Sequence, residues 1–165
     1  MVFLNQYSYV LFTVILGVGL SVALWRWQRP PVLLRIGLLA VFIVAAVGVN
    51  MARRYPAPEV STLAEAEAIL ENETPTFVML YSNYCVACMA SLPAVRELST
   101  RLAANEIDTL LINIHDAVGA ALADRFEFVF SPTYIVFGPN GTEVLRANSL
   151  PRLEDIRLAL AFEQG

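Results

Sequence analysis

The sequence contains no lysine, a single histidine (His115) and two cysteines, and only 16% of its 165 residues are charged. Each shortage excludes something. With every basic residue an arginine, a net charge of −4 and a pI near 5.0, the chain lacks the cationic surface that nucleic-acid binding requires. Two cysteines are too few for a disulfide-stapled scaffold or a four-thiolate zinc site, and one histidine does not make up the ligand set. No cofactor or metal is expected. Disorder is excluded by what is abundant: 57% of the residues are hydrophobic and the mean hydropathy is +0.58. There are no internal repeats and no low-complexity segments.

The apolar excess is unevenly placed. Residues 1–52 hold 36 apolar side chains, whereas the remaining 113 residues hold 58, an ordinary share for a globular domain. Met1 to Trp25 carries no charged residue, and Tyr7 to Trp25 reads as a helix about 28 Å long, close to the hydrocarbon thickness of a bilayer. A second uncharged run covers Ile36 to Ala52, with Arg35 at its edge able to snorkel to the headgroups. Trp25 and Trp27 suit the interface, and Pro30 and Pro31 break the chain between the runs. The spacing predicts a transmembrane hairpin with helices over about 7–25 and 33–52. Ser21-Val22-Ala23 has the small residues of a signal-peptide cleavage site, but no Lys or Arg precedes the first run, so a retained helix is expected. Gly17 and Ser21, four apart, offer a close approach for the second helix. Arg26, Arg29 and Arg35 between the runs, against Arg53 and Arg54 after them, lean towards a cytoplasmic loop with both ends of the hairpin outside.

Residues 53–59, containing Tyr55-Pro56-Ala57-Pro58, read as a short stiff linker. Residues 60–165 then form one domain of α/β class. From residue 59 onward 6 arginines face 15 acidic residues, so the domain is acidic while the preceding part is basic. Solubility alone accounts for that charge; an acidic domain also stands off anionic headgroups. Thr62 and Glu65 form a capping-box pattern opening a helix to about Asn72. Strands are expected at Thr76 to Ser82, Asp108 to Ile114, Thr133 to Phe137 and Thr142 to Arg146, the last two joined as a hairpin through Asn140-Gly141. Helices are expected at Cys85 to Ala104, kinked at Pro93, at Asp116 to Glu127 and at Leu153 to Phe162. This order suits a mixed central sheet with helices on both faces and the hairpin at one edge.

The chemistry concentrates in Tyr84-Cys85-Val86-Ala87-Cys88-Met89, which follows a strand and opens a helix. Cysteines three apart in a first helical turn lie on one face within disulfide reach, and the leading sulfur sits near unpaired N–H groups that favour thiolate. Cys85 is then the nucleophile that attacks a partner's disulfide, and Cys88 the resolving thiol. A zinc site, a permanently closed structural disulfide and two inert buried thiols remain as other readings of the pair.

The chain from about Val60 onward resembles the thioredoxin superfamily. Cys85/Cys88 at a helix start, Pro93 eight residues after the first cysteine, and Ser131-Pro132-Thr133 before a strand carry the likeness. The resemblance implies a thioredoxin-like fold in which Ser131-Pro132 is a cis-proline loop lying against the cysteines, with the Ser131 backbone pairing with an extended substrate segment and Tyr84 and Pro132 lining its path; a trans turn proline is the ordinary alternative. Four departures stand out. Tyr84 replaces the usual tryptophan, Val86-Ala87 replaces Gly-Pro, Met79 replaces a buried aspartate that helps deprotonate the second cysteine, and the lysine partnering that aspartate falls near Leu111. His115, in a strand-to-helix turn, reads as a surface or capping residue. A membrane-anchored domain of this kind is similar to tethered thiol–disulfide proteins of the periplasm, cell exterior or thylakoid lumen. Those pass electrons from a membrane thiol donor to disulfides of exported or cytochrome-assembly partners. Reduction is expected over oxidation, because Val86-Ala87 supplies nothing to stabilise the thiolate strongly. The competing expectation is a non-enzymatic accessory or assembly subunit docked on a membrane protein complex; copper delivery is weakened by the lone histidine and the lack of a Met-rich segment.

Overall fold

The structure is a computed structural model, and it describes residues 5–27, 31–52 and 60–163. Two long apolar helices come first: α1 (Ser8–Arg26) and α2 (Val32–Ala52). Both are long and apolar enough to cross a membrane, and most of their side chains are exposed. They pack on each other where a small residue allows it. A Cβ on Gly17 would lie 3.2 Å from the Phe42 ring, so this glycine is the point of close approach. Ser21 does not reach across; its hydroxyl donates to Gly17 O of its own helix at 2.8 Å. Across the pair, Tyr9 Oη donates to Ala46 O at 3.1 Å. Pro30, Arg29, Arg53, Arg54 and the expected linker 53–59 lie outside the described residues.

The remainder forms α3 (Leu63–Leu70), β1 (Thr76–Tyr81), α4 (Val86–Ala103), β2 (Asp108–Asn113), α5 (Ala117–Arg125), β3 (Thr133–Phe137), a 3₁₀ turn (Pro139–Gly141), β4 (Glu143–Ala147) and α6 (Leu153–Glu163). The four strands are ordered β2-β1-β3-β4. β1 runs parallel to β2 and antiparallel to β3, which pairs antiparallel with β4. The strand period of two divides the core into two layers. Val78, Leu80, Leu110, Ile112 and Ile135 face Ala66 and Leu70 of α3 and Leu122 and Ala123 of α5. Phe77, Met79, Tyr134 and Val136 face Val95, Leu98 and Leu102 of α4 and Ile156 and Leu160 of α6. A Leu or Phe buried completely in either layer contributes about 1.5–3 kcal/mol.

The ends of the elements follow from local chemistry. Thr62 Oγ1 accepts from Glu65 N–H at 3.1 Å, as the capping box predicts, but the returning Glu65 Oε2 takes Ser61 N–H at 2.8 Å. That helix stops at Leu70 rather than running to Asn72. α5 stops at Arg125, short of the expected Glu127, because Glu127 adopts a left-handed φ of 49° that ends a helix. The β3–β4 hairpin is present, yet its connection is a 3₁₀ turn with a register shift at Val136/Phe137 and not a two-residue turn. Gly141 has a φ of +74°, which favours glycine there. Gly119 is fixed by space instead, since a Cβ would collide with the Asn113 carbonyl and lock α5 off β2.

Candidate functional site

Cys85 sits between the end of β1 and the first turn of α4 and serves as the N-cap of that helix. Its N–H donates to Ser82 O at 3.1 Å, and its Sγ accepts from Cys88 N–H at 3.1 Å. A sulfur held on a free N–H at a helix N-terminus is in surroundings that favour negative charge. Cys88, one turn on, is disulfide-bonded to Cys85 with the Cα atoms 5.3 Å apart. The pairing excludes the reading of two inert free thiols, and among the described residues no cluster of His, Cys, Asp or Glu suits a metal. Both cysteines are buried, Cys85 to 1% and Cys88 to 0% exposure. α4 continues through Pro93 to Ala103, one backbone hydrogen bond short at the proline.

Ser131 faces the pair from the loop before β3. The Ser131–Pro132 peptide bond is cis, which excludes the ordinary turn proline, and Ser131 O lies 3.6 Å from Cys85 Sγ. Asn148 Nδ2 donates to Pro132 O and to Thr133 Oγ1, tying β4 to this loop. Ser131 is fully buried, and among the described residues its Oγ has no hydrogen-bond partner.

This combination of sheet order, helix placement, cysteine pair and cis-proline loop allows a comparison with solved structures. The thioredoxin of Plasmodium falciparum aligns over 62% of this chain and 96% of its own, at 16% identity and a TM-score of 0.51. The fold is thioredoxin-like. Chlamydomonas reinhardtii thioredoxin f2 aligns at 19% identity over 63% of this chain and 93% of its own, with a TM-score of 0.49. Oxidised Arabidopsis thaliana thioredoxin O2 does so at 18% identity over 64% and 90%, with a TM-score of 0.48. No protein-family model matches the chain. No curated protein matches it in sequence.

Within the thioredoxin-like domain, the departures noted in the sequence occupy real positions. Met79 is completely buried beside Cys88 in one core layer, and its register partners are Leu111 on β2 and Tyr134 on β3. No carboxylate stands at that position. Tyr134 is buried in the same layer; burial raises its phenol above the ordinary value, while a hydrogen bond with Ser91 opposes this.

His115 is exposed, as the surface reading expects, but it does not cap a helix. The N-cap of α5 is Asp116, and His115 turns instead to the cysteine loop, where its Nε2 lies 2.9 Å from Ser82 Oγ. Ser82 Oγ donates its one proton to Gln6 O at 2.8 Å and accepts from Tyr84 N–H at 3.1 Å. The remaining lone pair therefore takes a proton from His115 Nε2. Burial lowers the His115 pKa, partly countered by the charge of Asp116.

The largest departure from expectation concerns the first residues of α1 and those just before it. The sequence assigns them only to a membrane segment, but they lie on the site. Tyr9 N–H donates to Tyr84 O at 2.9 Å, and Val86 N–H donates to Ser8 Oγ at 3.1 Å. Asn5 bonds both backbone groups of Ser131. The Tyr7 ring stacks on Tyr84 at 5.5 Å and meets His115 at 5.2 Å. Tyr84 and Ser131, expected to receive a substrate, are thus in contact with the chain's own residues. The polar trio Asn5, Gln6 and Ser8 at the head of an apolar run was the available signal.

Proposed function

We propose that the protein is a membrane-tethered thiol–disulfide oxidoreductase that reduces disulfides in exported or cytochrome-assembly partners. The observation that carries this reading is Cys85 Sγ accepting the Cys88 N–H at a helix N-terminus, with Ser131 O 3.6 Å away. In the reduced protein, the Cys85 thiolate attacks one sulfur of a partner disulfide. The partner S–S bond breaks, and its other sulfur leaves as a thiolate and takes a proton. Cys88, once deprotonated, attacks Cys85 Sγ, breaks the mixed disulfide and releases the second partner thiol. Two electrons and two protons pass to the partner, and the Cys85–Cys88 disulfide remains. A membrane dithiol donor returns it to the dithiol by the reverse exchange. Tyr84, Ser131 and Pro132 guide the partner segment. With Met79 in place of a buried carboxylate, water or the partner takes the Cys88 proton.

The hairpin of α1 and α2 is the bilayer anchor. An even number of crossings leaves residues 5–9 and the domain on one side, and the hydrogen bonds between them support that topology. A tethered disulfide specialist is most useful in an oxidising compartment, which supports a location outside the cytoplasm: periplasm, cell exterior or thylakoid lumen. One observation favours a second reading, an accessory subunit docked on a membrane protein complex: the disulfide is closed off from solvent.

The deciding experiment equilibrates the full chain in detergent with glutathione or dithiothreitol buffers, while thiol alkylation reports the state of Cys85. A reversible two-electron transition lost in Cys85→Ser is expected. A disulfide that never opens, with a stoichiometric partner retained in Cys85→Ser, would establish the accessory reading instead.

A further inference from the structure

We propose that Asn5–Tyr9 is a resident occupant of the partner-binding groove, which closes the disulfide until a partner segment displaces it. The proposal rests on the oxidoreductase reading and adds its gate. Five hydrogen bonds join this segment to the residues that surround Cys85. Asn5 Nδ2 donates to Ser131 O, and Ser131 N–H donates to Asn5 Oδ1. Ser82 Oγ donates to Gln6 O, Val86 N–H to Ser8 Oγ and Tyr9 N–H to Tyr84 O. The bonds to Tyr84 and Val86 bracket Cys85 in sequence, and Ser131 O is its neighbour in space. With both sides occupied, Cys85 is 1% exposed.

The contacts have the character of recognition. A primary carboxamide offers one donor and one acceptor side by side, which is how an extended backbone presents itself to a neighbouring chain. Asn5 therefore meets the Ser131 backbone as a strand would. Two residues on, Tyr7 lies on a shelf made by Tyr84 and His115, so the groove takes a polar amide and then an aromatic ring. A competing partner segment needs the same features: a backbone or carboxamide pair for Ser131 and an aromatic side chain two residues later. Because Ser8 and Tyr9 are the first residues of α1, displacement moves the head of the membrane hairpin relative to the domain.

The test measures how fast dithiothreitol reduces the oxidised full chain in detergent, with maleimide trapping of freed thiols read by mass. Loss of the Asn5 bonds and the Tyr7 stacking in Asn5→Ala/Tyr7→Ala is expected to speed reduction about tenfold or more. The pentapeptide Asn-Gln-Tyr-Ser-Tyr, blocked at both ends, is expected to slow the variant again. Ser8→Ala, which removes one acceptor outside the core, is expected to give a smaller acceleration in the same direction. Equal rates in wild type and variants, with the disulfide opening and closing reversibly in all, would overturn the gate and leave the redox reading standing. Failure of the disulfide to open in any of them would overturn both.

Discussion

Asn5 and Ser131 are 126 residues apart in sequence and face each other through two hydrogen bonds. Asn5 Nδ2 donates to Ser131 O at 2.9 Å, and Ser131 N–H donates to Asn5 Oδ1 at 2.6 Å. The contact joins the head of an apolar helix to the loop that lies against the disulfide, so the helix pair and the site are physically linked.

The two cysteines are expected to separate by role. Cys85→Ser abolishes disulfide exchange, whereas Cys88→Ser retains attack but not release, and accumulates a mixed disulfide with the partner. Non-reducing electrophoresis after incubation with a disulfide-bonded protein distinguishes them. Neither change costs much stability, because the bridge spans only three residues and constrains little of the unfolded chain.

His115 imposes a pH dependence. Its folded pKa lies below the ordinary value of 6.5, with burial as the leading cause. The unfolded chain therefore binds more protons between the folded pKa and 6.5, and stability falls as the pH drops through that window. Asp116 opposes this, while the rings of Tyr7 and Tyr84 pack against the imidazole. Denaturant titrations from pH 7.5 to 5 are expected to show this slope in wild type and a shallower one in His115→Gln.

The core under α5 is expected to be intolerant at two positions for different reasons. Leu122→Ala removes a completely buried side chain and should cost about 2–5 kcal/mol. Gly119→Ala deletes nothing, yet its Cβ would strike the Asn113 carbonyl, so α5 must shift off β2. Thermal unfolding of the detergent-solubilised protein measures both.

Gly17→Val tests the helix pair. A Cβ already stands 3.2 Å from the Phe42 ring, and two further methyl groups force α1 and α2 apart. Cross-linking between cysteines placed on facing positions of the two helices is expected to fall, while Gly19→Val, with open space around it, leaves it unchanged.

The order of elements in the domain was legible because its signals are local. Period-two strands, helical spacing and turn residues place every strand and helix to within a few residues, and Thr133–Phe137 at its actual bounds. The errors fall at ends such as Arg125, where Glu127 takes a left-handed conformation usually left to glycine. Half of the site was legible as well. Cys85 and Cys88 are three apart, and Ser131-Pro132 announced its loop through a family resemblance.

By itself the sequence determined the two-part plan: an apolar hairpin at one end and an α/β domain carrying a helix-capping cysteine pair at the other. Periodicity and composition act over a few residues, and so survive in one dimension. Only the tertiary structure decided that Asn5–Tyr9 covers the site, that His115 serves Ser82 rather than a helix end, and that Ser131 is paired. Those contacts span tens of residues or more, and their hydrogen bonds form only once the folded sheet brings β1, β2 and β3 side by side and the hairpin reaches them.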